Sequence, residues 1–183
     1  METLDTAGIR KVNAVDFLTK TFDEPVYTQL SSADYHERKE GGHFNREEFH
    51  RNPERYTSLF AKYTKVGQLL LAGAYWNPKA PVLFTREDML DPDFKMKVIA
   101  DITCDINGSV PSTKRASTIP DPLYDYDPAT DSVLPALSDE RYITTMAVDN
   151  LPCELPRSAS EEFGRDLIDR ILKPLLVGDV DGI

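Results

Sequence analysis

The stretch VDNLPCELPRSAS, Val148–Ser160, separates an apolar run from a segment with helical periodicity. The preceding residues, YITTMAV (Tyr142–Val148), have the β-branched and aromatic density of a buried strand. Downstream, Ser158 and Glu161 have the spacing of a capping box. Apolar side chains then recur at helical period, at Phe163, Leu167, Ile171 and Leu175. The pattern predicts a buried strand, a polar loop and a helix over 158–176, and open α/β sheets present polar groups to ligands at such junctions.

Two further apolar runs have strand length and also end in polar or aromatic residues. Residues 68–74 are predicted to form a strand whose apolar run, 69–74, is typical of a parallel strand buried on both faces, and they lead into Tyr75, Trp76 and Asn77. Residues 97–102 lead into the polar turn that contains Asp105. The carboxyl ends of strands in a doubly wound sheet meet at one edge, which is the ligand crevice. The sequence therefore predicts an α/β fold with a partial doubly wound, Rossmann-like parallel sheet and a C-terminal crossover helix.

The remaining elements are predicted to be short. Residues 2–7 are expected to form a helix that stops at Gly8, and residues 9–12 a short strand. Further helix starts are predicted at Asn13, Asn45, Pro53 and Thr85. Residues 111–135 are rich in Pro, Asp and Ser and are predicted to form a long irregular loop over the ligand edge.

Composition narrows the possible partners. The chain has 183 residues, 40% of them hydrophobic, and a net charge of −10, which argues against a nucleic acid or an anionic membrane surface as partner. No apolar run approaches the length of about 20 residues needed to span a bilayer. Cys104 and Cys153 show no pairing pattern and are interpreted as reduced packing residues, so a cytoplasmic location is expected.

The three histidines invite a metal interpretation because they recur every seven residues, at His36, His43 and His50. No two of them stand three or four residues apart, and a double glycine separates the first from the second. They are therefore predicted to be surface side chains, and no metal site is expected.

The residues alone leave the chemistry open. The chain contains no G-x-G-x-x-G turn and no Walker lysine loop. Asp105 at a strand end suits acid/base chemistry, but it equally suits a turn cap before Asn107 and Gly108. Asp101 stands four residues earlier and need not face Asp105, so a paired-carboxylate mechanism has little support. The pair Asp149-Asn150 could form an Asx turn.

Three blocks of sequence resemble one known family. They are LLLAGAYWNPKAPVLFT, KVIADITCDINGSVPSTKRASTIPDPLYDYD and VDNLPCELPRSAS. In this order they are similar to the strand-end blocks of the alanine dehydrogenase and pyridine-nucleotide transhydrogenase superfamily. The DPLYDYD string, Asp149 before Asn150, and SASEEFG favour its saccharopine dehydrogenase/lysine-ketoglutarate reductase branch.

This resemblance implies a function and a set of site residues. The function is the NAD- or NADP-linked oxidation or reductive condensation of an amino acid with a 2-oxo acid. Asp105 matches the Asp of the family's D-x-x-G turn and is the implied catalytic residue. The implied cofactor contacts are Ala74, Val148, Asp149, Asn150 and Leu151. The implied substrate contacts are Tyr75, Trp76 and Asn77.

The resemblance also implies a domain organisation. Residues 1–150 match the latter part of a dinucleotide-binding domain, without its first strand and glycine fingerprint. Residues 151–183 match the loop and crossover helix that return toward a substrate domain. A chain of this kind is expected to be inactive alone, and to form homo-oligomers or to require an N-terminal half. An alanine dehydrogenase-type enzyme and a non-catalytic binding or assembly module on the same fold are the alternatives.

Overall fold

The computed structural model describes residues 2–177. Its α-helices are α1 (Glu2–Thr6), α2 (Ala14–Thr19), α3 (Ser32–Tyr35), α4 (Arg46–Arg51), α5 (Ala61–Thr64), α6 (Arg86–Met89), α7 (Pro156–Leu167) and α8 (Lys173–Leu176). Its strands are β1 (Arg10–Lys11), β2 (Val26–Tyr27), β3 (His36–Arg38), β4 (Tyr56–Ser58), β5 (Leu69–Ala72), β6 (Val98–Asp101), β7 (Leu123–Asp127), β8 (Ser132–Leu134) and β9 (Ile143–Met146). The α/β class that the sequence predicts is confirmed.

A mixed sheet of five strands, in the order β5-β6-β9-β7-β8, organises the second half of the chain. The strands β5, β6 and β9 are parallel and lie within the three predicted strands. The strands β7 and β8 form an antiparallel hairpin, and β7 also pairs antiparallel with β9. The parallel part is consistent with a partial Rossmann-like fold.

The hairpin corrects the prediction that residues 111–135 form an irregular loop. Residues 123–127, LYDYD, place Tyr124 and Tyr126 on one face of β7, where both are fully buried. The strand was not predicted because aspartates alternate with its tyrosines, and Asp is disfavoured in strands and favours turns. Here Asp125 is buried as well, and Ser138 and Thr144 satisfy its carboxylate.

The edge strand β5 corrects a second expectation. A strand buried on both faces was predicted, but Leu69 and Leu71 are 55% and 53% exposed. The side chains of Leu70 and Ala72 point to the other face, and they contribute to the core. One face of β5 is therefore uncovered.

The core lies between the sheet and the region that precedes it. Its buried members include Tyr35, Phe60, Tyr63, Phe84, Met96, Ile99 and Tyr126. Ring centroids of Phe60 and Phe84 are 5.9 Å apart, so these rings join the N-terminal region to the segment after β5.

Three of the predicted helix starts are confirmed, at Asn13, Asn45 and Thr85, whose side chains accept backbone N–H groups. Pro53 begins only a short 3₁₀ turn, which is followed by β4 instead of the predicted helix.

The C-terminal helix exists but begins earlier than predicted. It starts with Pro156 at its first turn, and Ser158 lies inside it, so the predicted capping box is absent. The helix continues from α7 through a π-helical segment, Ile168–Leu172, into α8. None of its residues from Pro156 to Leu176 is buried, and Phe163 is 70% exposed. No helix in the described part of the chain is long and apolar enough to cross a membrane.

Candidate functional site

The carboxyl ends of β5, β6 and β9 lie at the same edge of the sheet because the three strands are parallel and in register. Segments 74–77, 103–108 and 148–151 follow these strands directly. The backbone N–H of Ile102 donates to the Ala72 carbonyl at 2.8 Å and extends the ladder between the first two. The fold thus brings all the sequence-predicted site segments to one edge.

Asp105 opens a tight turn at this edge. The N–H of Gly108 donates to the Asp105 carbonyl at 2.7 Å, and Asn107 and Cys104 have φ angles of +54° and +52°. Left-handed backbone suits Asn but strains a non-glycine residue such as Cys104 by about 1–3 kcal/mol. A Cβ atom on Gly108 would stand only 2.7 Å from the Asp105 carbonyl oxygen, so only glycine fits. The turn therefore holds the half-buried Asp105 in one geometry.

The thiol of Cys104 lies among carboxylates from two of the segments. Its Sγ donates to the Ala147 carbonyl at 3.0 Å, just before the 148–151 loop. Burial raises the pKa of this thiol, and the charges of Asp101, Asp149 and Asp105 raise it further. The charges of Asp105 and Asp149 thus both act on the Cys104 thiol, and they make this part of the edge negatively charged. The raised pKa favours the protonated thiol, which slows the reaction of Cys104 with electrophiles.

The loop after β9 turns its polar groups outward. Val148 is buried and forms a parallel bridge with Ser117. Asp149 and Asn150 are exposed, and Leu151 starts a 3₁₀ turn that ends at Glu154. The loop can therefore present a carboxylate and an amide to a ligand while Val148 anchors it.

The segment after β5 faces a different space. Ala74, Tyr75, Trp76 and Asn77 line a cleft of about 1040 Å³ together with aromatic residues of the N-terminal region. Tyr75 is 88% exposed, whereas Trp76 and Asn77 are half-buried. Neither Asp105 nor the 148–151 loop lines this cleft. The predicted site therefore divides into an acidic part around Cys104 and an aromatic part in the cleft.

Asp101 is a residue whose importance the sequence reasoning missed. It ends β6, is fully buried, and its carboxylate accepts hydrogen bonds from Thr103 and Thr113. A carboxylate that directly follows the apolar run VIA, at the end of a parallel strand, was the available signal. The Asp101 carboxylate accepts from hydroxyl and amide donors, so a paired-carboxylate role with Asp105 gains no support.

The histidines require one correction. His36 is only 7% exposed and packs on Tyr35 and Phe49, with ring centroids 4.5 Å away in both cases. His43 and His50 are exposed, as predicted. Between residues 2 and 177, no three His, Cys, Asp or Glu side chains are grouped so that they could hold a metal ion.

The mixed sheet with its three parallel strands places the chain in the class of α/β proteins, consistent with a partial Rossmann-like fold. The chain's homologues identify the branch of this class. It is 30% identical over 199 aligned residues to mitochondrial alpha-aminoadipic semialdehyde synthase of Mus musculus, covering 97% of this chain and 20% of the relative. It is 31% identical over 125 residues to alpha-aminoadipic semialdehyde synthase of Arabidopsis thaliana, covering 66% and 12%.

A third relative is saccharopine dehydrogenase [NAD(+), L-lysine-forming] of Neurospora crassa, 32% identical over 101 residues, which are 54% of this chain and 25% of that protein. No protein-family model matches the chain. The chain spans about a fifth of the length of the synthase from Mus musculus. Its homologues are thus alpha-aminoadipic semialdehyde synthases and saccharopine dehydrogenase, which confirms the resemblance drawn from the three motif blocks.

Proposed function

We propose that this chain supplies one wall of the cofactor and substrate cleft in an NAD- or NADP-dependent amino-acid oxidoreductase of the saccharopine dehydrogenase type. The observation that carries the proposal is that segments 74–77, 103–108 and 148–151 follow the carboxyl ends of three adjacent parallel strands. The names of the homologues supply the reaction class. The substrate class is an amino acid together with a 2-oxo acid.

The acidic part of the edge suits the cationic groups of this chemistry. The oxidised nicotinamide ring and the ammonium group of an amino acid are both positive, and the carboxylates of Asp105 and Asp149 attract positive charge. Asp105 is proposed to exchange a proton with the reacting amine. Hydride transfer belongs to the nicotinamide, so the task of the protein is to position it.

The other predicted residues divide between cofactor and substrate. Asp149 and Asn150, with the flanking Val148 and Leu151, are proposed to contact the nicotinamide side of the cofactor, together with Ala74. Tyr75, Trp76 and Asn77 are proposed to contact the substrate from the cleft. Their two aromatic rings suit the aliphatic part of an amino-acid side chain, and the Asn77 amide suits its polar end.

Cofactor affinity of the chain alone is expected to be weak. The glycine turn that places a pyrophosphate on a helix N-terminus is not part of these 183 residues. We therefore expect weak binding of NADH or NADPH and no turnover with lysine and 2-oxoglutarate. Turnover by the purified chain would contradict this part of the proposal.

Trp76 provides the measurement because it is the single tryptophan of the chain and belongs to the proposed site. Titration with NADH, and separately with NADPH, should quench its fluorescence in a saturable way. Asp149→Ala should raise the Kd about tenfold, the effect of losing a hydrogen bond from a charged group. Glu47→Ala removes another exposed carboxylate, about a hundred residues away in the sequence, and should leave the Kd unchanged.

Two results would reject the proposal. Absence of saturable quenching with both nucleotides, checked by calorimetry, would favour a non-catalytic module. An equal loss of affinity in Asp149→Ala and Glu47→Ala would mean that the loss is not specific to this edge of the sheet.

A further inference from the structure

The Asp101 carboxylate is fully buried, and its hydrogen-bond donors within residues 2–177 are uncharged groups of Thr103 and Thr113. One oxygen, Oδ1, accepts from the Thr103 backbone N–H at 3.1 Å and from the Thr103 hydroxyl at 2.6 Å. The other, Oδ2, accepts from the Thr113 hydroxyl at 2.7 Å. A buried carboxylate is costly even when its oxygens are paired. Its neighbour in β6, Ile99, fills the same face with an apolar side chain and no such cost.

The partner Thr113 begins a segment that connects two parts of the proposed site. We call Thr113–Ser117 the strap. The Thr113 carbonyl accepts from Asn107 N–H at 2.9 Å, inside the Asp105 turn. At the other end, Ser117 N–H donates to the Ala147 carbonyl at 2.8 Å, and Ala147 N–H donates to the Ser117 hydroxyl at 3.0 Å.

Each end of the strap is buried, with Thr113 at 0% and Ser117 at 1% exposure. The Cys104 thiol donates to the same Ala147 carbonyl at 3.0 Å, so a second, direct contact joins the turn to the end of β9. The turn that carries Asp105 and the loop that carries Asp149 are thereby held in one geometry through the strap.

We infer that Asp101 and Thr113 are positioning residues of the proposed site, which fix Asp105 relative to the 148–151 loop through the strap. The inference rests on the proposed function, because the site that these two residues position is the one proposed above. The polar side-chain atoms of both residues are engaged in the hydrogen bonds described above. Both residues therefore act on the site through the backbone segments that they hold.

Thr113→Val is the variant that isolates this role. It removes the hydroxyl that holds Asp101 Oδ2 and keeps both the shape of the side chain and the charge of Asp101. Asp101→Asn is less suitable because the charge of Asp101 acts on Cys104, and its removal alone would alter the reactivity of the thiol. Thr113→Ser restores the hydroxyl and should behave like the parent.

The chain offers a matched control at another buried carboxylate. Thr144 Oγ1 donates to Asp125 Oδ1 at 2.8 Å, and Asp125 is 1% exposed. Thr144 lies near the amino end of β9, away from the ligand edge. Thr144→Val therefore removes the same kind of hydrogen bond without touching the strap.

Two readouts in a Cys153→Ser background separate positioning from stability. The first is the rate at which a thiol reagent labels Cys104, since the exposed Cys153 would otherwise react as well. In Thr113→Val this rate should rise about tenfold, as expected for losing one hydrogen bond to a charged acceptor. The second is the Kd for NADH from Trp76 quenching, which should rise in Thr113→Val.

The expected pattern is specific to the strap. Thr144→Val should lose a similar amount of unfolding free energy but keep the parental Cys104 rate and Kd, and Thr113→Ser should keep both. If Thr113→Val fails to fold, Ser117→Ala cuts the other end of the strap and should give the same two changes. Equal labelling rates in Thr113→Val and Thr144→Val would reduce Thr113 to a stability role and overturn the inference.

The two proposals can fail separately. If the parent does not bind NADH, the proposed function is wrong, while the labelling rates still decide whether the strap holds the turn. If NADH binds but Thr113→Val changes neither the labelling rate nor the Kd, the positioning role is wrong and the proposed function stands.

Discussion

His36 and Cys104 show how strongly local surroundings alter a residue's chemistry in this chain. His36 lies between the rings of Tyr35 and Phe49, and its Nδ1 is 3.1 Å from the Ser32 carbonyl oxygen. Burial lowers the pKa of its imidazole. Cys104 has its pKa shifted upward by burial and by neighbouring aspartates. In both residues the surroundings shift the pKa in the direction that favours the neutral side chain.

The lowered pKa of His36 predicts that the folded chain loses stability in acid. Because the folded-state pKa of His36 is below its unfolded value of about 6.5, the unfolded chain binds more protons in acid. The free energy of unfolding should thus fall as the pH drops below about 6.5, and His36 should have no such effect above it. Urea denaturation at pH 7.5, 6 and 5 measures this.

A non-titrating variant tests the assignment to His36. His36→Phe keeps an aromatic ring against Tyr35 and Phe49, and its stability should decline less between pH 7.5 and 5 than that of the parent. His50→Gln alters an exposed histidine and should retain the parental decline. Parallel curves for the parent and His36→Phe would disprove the assignment.

At the scale of elements, the C-terminal helix lacks a face that packs on the core. Phe163 and Leu175 are 70% and 60% exposed, and no residue of the helix is buried. Gly164 lies inside α7, where a Cβ would meet no atom within 4 Å. The helix therefore depends on its own backbone preferences more than on packing.

Gly164→Ala should stabilise this helix. Alanine is preferred over glycine in a helix interior by about 1 kcal/mol. Hydrogen exchange of the amides in 156–176 should slow accordingly, whereas the midpoint of global unfolding should hardly move because the helix does not pack on the core. Gly73→Ala, equally free of close contacts but outside any helix, should leave this exchange unchanged. Slower exchange in both variants would argue against the local explanation.

For the whole molecule, the uncovered face at β5 has consequences for association. Leu69 and Leu71 expose more than half of their surface on an edge strand, and Val98 beside them is 38% exposed. Exposed apolar strands at a sheet edge recruit other chains. We therefore expect concentration-dependent self-association, in line with the predicted homo-oligomer.

Lysine substitution at this face should abolish self-association. Leu69→Lys/Leu71→Lys places two charges on the edge strand, and light scattering over a concentration series should then report a monomer. Leu90→Lys/Leu137→Lys makes the same change of charge at two exposed leucines elsewhere and should associate like the parent. A parent that is monomeric at every concentration would contradict the expectation.

The sequence by itself determined the three parallel strands, the polar segments after them, several helix caps and the family, because each depends on local periodicity or on contiguous motifs. The tertiary structure alone decided which groups are buried. Tyr124 and Tyr126 were predicted to lie in a loop, but they are buried in β7, which pairs with β9. Leu71 was predicted to be buried, but it is exposed because β5 is an edge strand. Asp101 gained its role only when Thr113, twelve residues away, reached its carboxylate. Burial and pairing are set by contacts between residues distant in sequence, and no local pattern records them.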